Sequence, residues 1–251
     1  MTTPPGAMDS AVPQQPHISS LGRLTGVLFD PKATYEDIAA KPSWALPLVI
    51  IVAISLVIVA AYGQRVGWRG LVEKRMAESS RTADMPADQR EQAVERGAKI
   101  APIFGYVAVL IGTPVVALII AAILMLIMNL VAGARATFVQ SLSVLTHSWV
   151  PGIIGGLIGL IMIFVKAPDT IDLDHLVAAN VGAFLASDSP KWLMSLGTSL
   201  DIFQLWSIVL LGFGFSAINP KKISVGKGIA IVAISWAIYL GMKVAAVAAF
   251  S

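Results

Sequence analysis

Long apolar runs separated by short polar connectors constrain this chain more than any other feature. The runs contain no Asp, Glu, Lys or Arg, and they cover residues 42–64, 100–134, 136–165, 202–220 and 228–242. A helix needs roughly 20 mostly apolar residues to cross a bilayer, and the runs reach or nearly reach that length. Stretches such as VIIVAISLVIVAAY are apolar on every face, so they do not fit the alternating strands of a membrane β-barrel. The sequence therefore predicts an all-α polytopic membrane protein, a five-transmembrane-helix bundle.

Composition narrows the classes of function. Hydrophobic residues make up 56% of the chain and charged residues only 13%, whereas a soluble domain carries about 25% charged residues. Cysteine is absent, which excludes disulfides, thiol nucleophiles and cysteinyl zinc sites. A net charge of +3 is too small to predict a nucleic-acid partner. The GxSxG, HExxH, P-loop and dinucleotide motifs are also absent, so we predict no enzyme, no catalytic residues, no metal site and no cofactor.

The N-terminal region divides into a tail and an amphipathic segment. Residues 1–17 are rich in proline and polar side chains, which predicts a disordered tail and not a cleaved signal peptide. Residues 18–41 carry apolar side chains at helical spacing, with Arg23 among them, which is typical of helices lying in the membrane interface. Asp30 followed by Pro31 predicts the start of a second helix. We expect these interfacial helices on the cytosolic side.

The five-helix transmembrane domain is predicted to occupy residues 42–251. Its spans are expected at about 44–63, 103–131, 143–165, 198–218 and 228–250, with outer connectors 64–102 and 166–197. Pro114 predicts a bend in the second span, which is too long for one bilayer thickness. Mixed charges around Pro86 favour a helical hairpin above the membrane. The apolar stretch 176–186 is too short to span and is expected to lie in the interface.

Lysine and arginine positions predict the orientation, because cytoplasmic connectors carry an excess of both. With the N-terminus inside, the inner side carries Arg23, Lys32, Lys41, Arg135, Lys221, Lys222 and Lys227. The outer acidic connector carries only Lys166 and Lys191, whereas the first outer connector disagrees, with eight basic residues from Arg65 to Lys99. The prediction is a cytoplasmic N-terminus and a C-terminus on the outer side.

Two charges lie inside the predicted spans. Asp201 is near the outer end of the fourth span, and Lys243 is at a similar depth in the fifth, so antiparallel helices would bring them to one level. A charge in lipid costs a few kcal/mol or more, so such residues are usually partnered or functional. Three interpretations stay open: a structural ion pair or water-linked pair, an ion-handling site, and a Lys243 that extends to the outer interface.

Smaller polar and glycine signals point to helix packing. Asn129, Gln140 and His147 approach one level near the inner side, which predicts a polar network between the second and third spans. A titrating role for His147 is the alternative.

The third span contains small-xxx-small pairs, which favour close packing within the chain, with homodimerisation as the alternative. These pairs are Gly152 with Gly156 and Gly155 with Gly159.

The outer segment APDTIDLDHL collects carboxylates and an imidazole. Its candidate ligands are Asp169, Asp172, Asp174 and His175. Such groups can bind a divalent cation. Because the EF-hand spacing is incomplete and its glycine is missing, we favour a solvated loop.

Three segments resemble bacterial members of the Yip family, the Ypt-interacting membrane proteins. LFDPKATYEDIAAKPSWALPLVI is similar to the family's N-terminal segment, through Phe29, Pro31 and Trp44. ATFVQSLSVLTHSWVPGIIGGLIGL is similar to the start of its third span. LDIFQLWSIVLLGFGFSAINPKKISVGKGIAI is similar to its fourth span and basic turn. The most recognisable positions there are Leu200, Asp201, Phe203 and Trp206.

The resemblance implies a five-helix bundle with a cytosolic N-terminus, and the lack of an organelle-retrieval signal favours a bacterial inner membrane. It implies no particular activity. We therefore expect a non-enzymatic scaffold that organises the membrane or recruits partners through the amphipathic segment and the basic turn 219–227. Its expected partners are membrane lipids, a protein bound at the N-terminal segment, and a second copy of the chain. The alternative is a small transporter or channel that uses Asp201 and Lys243, with Gln204 and His147 along a polar path.

Overall fold

Helices make up most of the computed structural model, which describes residues 17–79, 82, 85–173, 176–186 and 188–249. The predicted disordered tail lies outside the described residues except for His17, and so do Asp174 and His175. The helices are α1 (Ser20–Phe29), α2 (Pro31–Ala40), α3 (Ala45–Arg65), α4 (Arg69–Glu78), α5 (Ala87–Val107), α6 (Thr113–Ala132), α7 (Phe138–Ser148), α8 (Val150–Val165), α9 (Lys191–Ser199), α10 (Ile202–Ile218) and α11 (Val225–Ala249). The all-helical class is confirmed for this part of the chain.

Four helical stretches are long and apolar enough to cross a membrane. They are α3, the continuous 46-residue stretch Ala87–Ala132 of α5 and α6, the α7–α8 stretch Phe138–Val165, and α11. α10 is also apolar but has 17 residues, which span about 26 Å against a hydrocarbon core of about 30 Å. The described residues therefore form a polytopic membrane protein with four candidate spans, and the fifth span stays a prediction that depends on α10.

The second span contains a π-helical turn where a proline interrupts backbone hydrogen bonding. Residues Ala108–Gly112, between α5 and α6, form a π-helical turn, and the Thr113 N–H donates to the Ala108 carbonyl. Pro114 follows directly and has no N–H to donate, so the wider turn coincides with the missing α-helical bond. The helix continues through this π-helical turn, and its additional turns at the N-terminal side belong to the charged connector. The bend itself stays a prediction.

The third span begins earlier than predicted. α7 starts at Phe138 and not near Ser143, because Thr137 and Gln140 form a capping box that satisfies the first backbone donors. α7 ends at Ser148, and α8 continues after Trp149 with a proline in its first turn. The polar residues at the start of α7 are therefore part of the helix and not of the connector before it.

The structure corrects the outer end of the fourth span, predicted at 198–218. The helix breaks at Leu200, and α10 starts after Asp201, which is its N-cap. Asp201 Oδ1 accepts hydrogen bonds from the backbone N–H groups of Phe203 (2.8 Å) and Gln204 (3.1 Å). A carboxylate in this position satisfies helix-end donors and suits the positive end of the helix dipole. Asp201 is thus a capping residue at a helix end, not a charge inside a helix.

The apolar helices run alternately between two ends of the bundle, which we call the α2 end and the hairpin end. The α2 end holds α1, α2 and the connectors 133–137 and 219–224. Asn219 joins these two connectors, because its Nδ2 donates to the Ala134 carbonyl (3.2 Å). The α2 end is therefore one connected surface.

The hairpin end holds α4, the start of α5 and the connector between α8 and α9. α4 packs against α5 as a helical hairpin, with Arg69 donating to Glu91 (2.7 and 2.9 Å). Arg65 at the end of α3 donates to the Phe164 carbonyl at the end of α8 (2.9 Å). These contacts align the ends of the helices on the side opposite to α2.

α2 is a core element of the bundle. Tyr35 and Ile38 are fully buried, and α2 packs against α7 and α10. The Tyr35 hydroxyl shares a hydrogen bond of 2.7 Å with Ser148 Oγ. Burial raises the pKa of Tyr35, so its hydroxyl keeps its proton. The predicted interfacial segment is thus anchored by protein contacts, while its position relative to the lipid stays a prediction.

A backbone-to-backbone contact joins α10 to α11 near the α2 end. A Cβ built on Gly228 would lie 2.7 Å from the Gly212 carbonyl oxygen, and one built on Gly212 would lie 2.7 Å from the Ile229 nitrogen. Only glycine allows helix backbones to approach this closely. These two glycines are outside the small-xxx-small pairs of the third span.

Candidate functional site

A buried arginine fixes the α2 end. Arg23 is 4% exposed; its Nε donates to Asp37 Oδ2 (2.7 Å), and its Nη1 donates to the Lys41 carbonyl (3.0 Å) and Ser43 Oγ (2.6 Å). His17 Nδ1 lies 3.1 Å from Asp37 Oδ1. We call these five residues the Arg23 clamp. The clamp joins α1, α2 and the segment that leads into α3.

Electrostatics favour the ionised form of Asp37 within the clamp. Burial alone would raise the pKa of this carboxyl, but hydrogen bonds from His17 and Arg23, with the charge of Arg23, outweigh it and lower the pKa below its usual value. Sequence patterns missed the clamp, although a signal was present. Arg23 precedes Val27 by one helical turn and therefore shares its buried face.

Exposed cations gather on and beside the connectors of the α2 end. The basic face, as we name it, consists of Lys41, Arg135, Lys221, Lys222 and Lys227, all of which are exposed. The connectors 41–44, 133–137 and 219–224 contain no acidic residue. Asp30 and Glu36 are exposed nearby on α1–α2. The connectors therefore present a local excess of positive charge.

The turn that displays Arg135 has an unusual backbone. Gly133 has a φ of 65° and Arg135 a φ of 56°, in the left-handed region that residues with a side chain seldom adopt. Asn129 closes this turn, because its Nδ2 donates to the Ala136 carbonyl (3.0 Å) and its Oδ1 accepts from the Ala136 N–H (2.7 Å). The side chain of Asn129 thus holds a strained connector in one conformation.

The structure corrects the predicted polar network of Asn129, Gln140 and His147, whose side chains do not bond to one another. Gln140 Nε2 donates to the Ala39 carbonyl of α2 (3.1 Å). His147 is 1% exposed, and its Nδ1–H donates to the Ser143 carbonyl one turn earlier (2.8 Å). Each of the three side chains satisfies backbone groups in its own surroundings.

Most of the third-span glycines pack against other parts of the chain. A Cβ on Gly155 would lie 2.9 Å from the Phe203 ring of α10, and a Cβ on Gly156 would lie 3.2 Å from Ile54 of α3. Gly159 faces the connector between α8 and α9 at 3.5 Å. These contacts account for the glycines within one chain, and homodimerisation through this face stays a prediction.

Asp201 and Lys243 lie at the same end of the bundle without a direct ion pair. Lys243 Nζ donates to Ser199 Oγ (2.9 Å), and no ion pair joins it to a carboxylate among the described residues. Ser199 stands two positions before Asp201 at the break between α9 and α10. The structure thus corrects the direct pair, while a water-linked pair stays a prediction.

Both charged residues line one cavity of about 990 Å³ between α3, α6, α8, α10 and α11. Asp201 and Lys243 lie at its hairpin end. Towards the α2 end the lining is apolar, with Leu124, Leu211 and Val232 among its residues. The lining of the cavity is therefore charged at the hairpin end and apolar towards the α2 end.

The residues that carry the family resemblance have different surroundings. Phe29 ends α1 and is 85% exposed, whereas Pro31 opens α2 behind the Asp30 cap. Trp44 is the N-cap of α3 and is 40% exposed. Trp206 lies on α10 and is 37% exposed. The exposed aromatic rings are placed to meet lipid or a partner, as aromatic side chains do at membrane interfaces.

The acidic connector does not assemble a metal site in the described part of the chain. Asp172 Oδ2 accepts a hydrogen bond from Lys74 Nζ of α4 (2.7 Å), which links the two hairpin-end connectors. Asp169 is exposed in a short 3-10 turn. Among the described residues no group of three or more His, Cys, Asp or Glu is arranged to hold a metal ion.

The fold defines a multi-pass α-helical membrane protein whose N-terminal helices are packed into the bundle. The Yip1 domain model matches residues 25–246, so the chain belongs to the Yip1 domain family. Membrane protein YknW from Bacillus subtilis (strain 168) is 29% identical to it over 192 residues, which cover 76% of each chain. No solved structure has significant similarity to it. The resemblance seen in the sequence is thereby confirmed.

Proposed function

We propose that this protein is a non-enzymatic scaffold of the bacterial inner membrane that recruits an acidic partner protein through the basic face. The proposal puts the α2 end in the cytoplasm and the C-terminus on the periplasmic side. The basic face carries the argument, since its exposed cations stand on or beside connectors that contain no acidic residue. An excess of lysine and arginine is typical of cytoplasmic connectors.

The rigidity of the α2 end supports recruitment. The Arg23 clamp holds α1 and α2, Asn129 closes the turn of Arg135, and Asn219 joins that turn to the connector of Lys221. A surface that is already ordered loses less conformational entropy on binding. Opposite charge then steers the partner and sets its orientation.

A transporter that uses Asp201 and Lys243 has less support. Both charges lie at the hairpin end of the cavity, whereas the lining towards the α2 end is apolar at Leu124, Leu211 and Val232. Ser207, farther along the lining, donates its hydroxyl to the Phe203 carbonyl of its own helix (2.8 Å). An ion would meet few free polar groups along such a path.

Partner capture from reconstituted protein tests the proposal. The protein, in nanodiscs of uncharged phosphatidylcholine, is incubated with a detergent extract of host membranes, and bound proteins are quantified by mass spectrometry. Replacing Lys221, Lys222 and Lys227 together by Gln should lower recovery of a partner about tenfold, because the attracting charges are removed. The matched triple Lys→Arg variant keeps the charge and should keep the partner. Equal recovery with the Gln and Arg variants would contradict recruitment through the basic face.

Labelling of intact cells supplies the orientation control. The chain has no cysteine, so single-cysteine variants can be labelled without background. A membrane-impermeant maleimide should label Ser189→Cys at the hairpin end and leave Lys222→Cys unlabelled until the cells are opened. The reverse pattern would put the basic face outside the cytoplasm and refute the proposal.

A further inference from the structure

The cavity between α3, α6, α8, α10 and α11 has the dimensions of a ligand site. Its volume of about 990 Å³ lies at the upper end of the range for small-molecule pockets. On α11 its lining extends from Lys243 to Val232, eleven residues or about 16 Å along the helix. This length is about half of the 30 Å hydrocarbon core, the depth of one leaflet. The occupant that fits such a cavity is an acyl chain.

The hairpin end of the cavity offers one cation and one carboxylate. Lys243 Nζ uses one donor on Ser199 Oγ. Asp201 uses Oδ1 for the cap of α10, and in the described part of the chain Oδ2 accepts no hydrogen bond. Since Ser199 and Asp201 are two positions apart, their Cα atoms are at most about 7 Å apart. Both charged side chains therefore line the same end of the cavity, and each has capacity for another partner.

We propose that this cavity binds a single phospholipid with an ethanolamine headgroup. The phosphate accepts hydrogen bonds from Lys243 Nζ, the ammonium group donates to Asp201 Oδ2, and an acyl chain occupies the apolar part of the cavity. A headgroup with both charges matches the pair, whereas an anionic headgroup brings no cation for Asp201 and is repelled by it. The site lies at the end opposite to the basic face and is independent of recruitment there.

Native mass spectrometry of the delipidated protein tests the proposal. The intact chain in detergent is titrated with equimolar phosphatidylethanolamine and phosphatidylglycerol of identical acyl chains. One phosphatidylethanolamine should remain bound in preference to phosphatidylglycerol. Lys243→Gln should weaken binding of both lipids about tenfold or more, because a charged hydrogen bond to phosphate is lost.

Asp201→Asn separates the headgroup contact from the helix cap. Asparagine caps helices as well as aspartate does, so α10 should keep its N-terminus while the negative charge disappears. The expected result is loss of the preference for phosphatidylethanolamine, with binding of phosphatidylglycerol unchanged or stronger. An unchanged preference in this variant would overturn the assignment of Asp201 to the ammonium group.

A filled cavity supplies the second test. Gly152 lines the cavity, and a Cβ there would meet nothing within 4 Å, so Gly152→Leu places its side chain in the acyl-chain path without a backbone clash. Gly241→Leu is the matched control, because Gly241 also has open space but is outside the cavity lining. Gly152→Leu should lower lipid occupancy about tenfold and Gly241→Leu should not. Equal occupancy in both variants, with unchanged melting temperatures, would overturn the proposal.

Discussion

Replacing Gly228 with alanine measures how much the backbone contact between α10 and α11 contributes to stability. The new Cβ would lie 2.7 Å from the Gly212 carbonyl oxygen, where real Cβ atoms essentially never come under 3.0 Å. The obstructing atom belongs to the backbone, so no side-chain rotation relieves the overlap. The two helices must therefore move apart by several tenths of an ångström, and the dispersion contacts along their seam weaken together.

The expected loss of stability in Gly228→Ala follows from comparison with Gly241→Ala. Both substitutions gain about 1 kcal/mol of helix propensity, because alanine restricts the unfolded chain more than glycine does. Gly241 has open space, so its alanine variant should keep this gain and be more stable than the parent by up to about 1 kcal/mol. Gly228→Ala has to accommodate the overlap as well, which costs about 2 kcal/mol in packed interiors. The difference between the two variants isolates the contact.

Reversible unfolding in mixed detergent micelles, followed by circular dichroism, gives the two free energies of unfolding. We expect Gly228→Ala to be less stable than Gly241→Ala by about 2 kcal/mol. Gly212→Ala obstructs the same contact, so the double variant with Gly228→Ala should lose less than the sum of the single losses. Equal stability of Gly228→Ala and Gly241→Ala would refute the backbone contact as a determinant of the bundle.

Two further predictions concern the Arg23 clamp. Arg23→Met should lower the free energy of unfolding by about 3 kcal/mol, because the Asp37 side chain is only 12% exposed and loses its main cationic partner. Lys32 is exposed, so Lys32→Met is the control and should change the free energy of unfolding by less than about 0.5 kcal/mol. Because the folded-state pKa of Asp37 is lowered, its contribution to stability is complete above the ordinary carboxyl pKa of about 3.9 and is lost as the pH falls through the folded-state value. Melting temperatures from pH 7 to pH 3 should therefore fall more for the parent than for Asp37→Asn, and parallel curves would contradict the ionised clamp.

The helices of this fold could be predicted because lipid imposes a simple pattern. Long apolar runs located every candidate span, while Pro42 and the Asn219-Pro220 turn indicated the start of α3 and the end of α10. The break at Leu200 was missed although a signal was present, since Asp201 stands directly before an apolar run in the position of an N-cap. Hydrophobicity alone extended the predicted fourth span back to residue 198, at the end of α9, because an interruption of two residues hardly changes the average over a span.

The partners of individual side chains could not be predicted, because they depend on how helices far apart in the chain meet. Small residues stood out in the third span, yet the backbone contact joins Gly212 to Gly228 on the fourth and fifth. Arg23 was visible on an apolar helix face, but its bond to Asp37 requires α2 to fold back onto α1. Periodicity shows which face of a helix is buried, but it does not show which other helix packs against that face.

The glycine contact and the charged end of the cavity lie at different levels of the bundle. Helices that cross at an angle touch at one level and separate with distance from it. α10 and α11 touch at Gly212 and Gly228, whereas Asp201 lies about 16 Å farther along α10 and Lys243 about 22 Å farther along α11. The cavity lining nevertheless includes Leu211 and Val232, which lie next to this contact, so a shift of the two helices there also changes the cavity. Gly228→Ala should consequently disturb both stability and lipid binding, while Gly152→Leu should disturb lipid binding alone, and that contrast distinguishes the packing contact from the binding cavity.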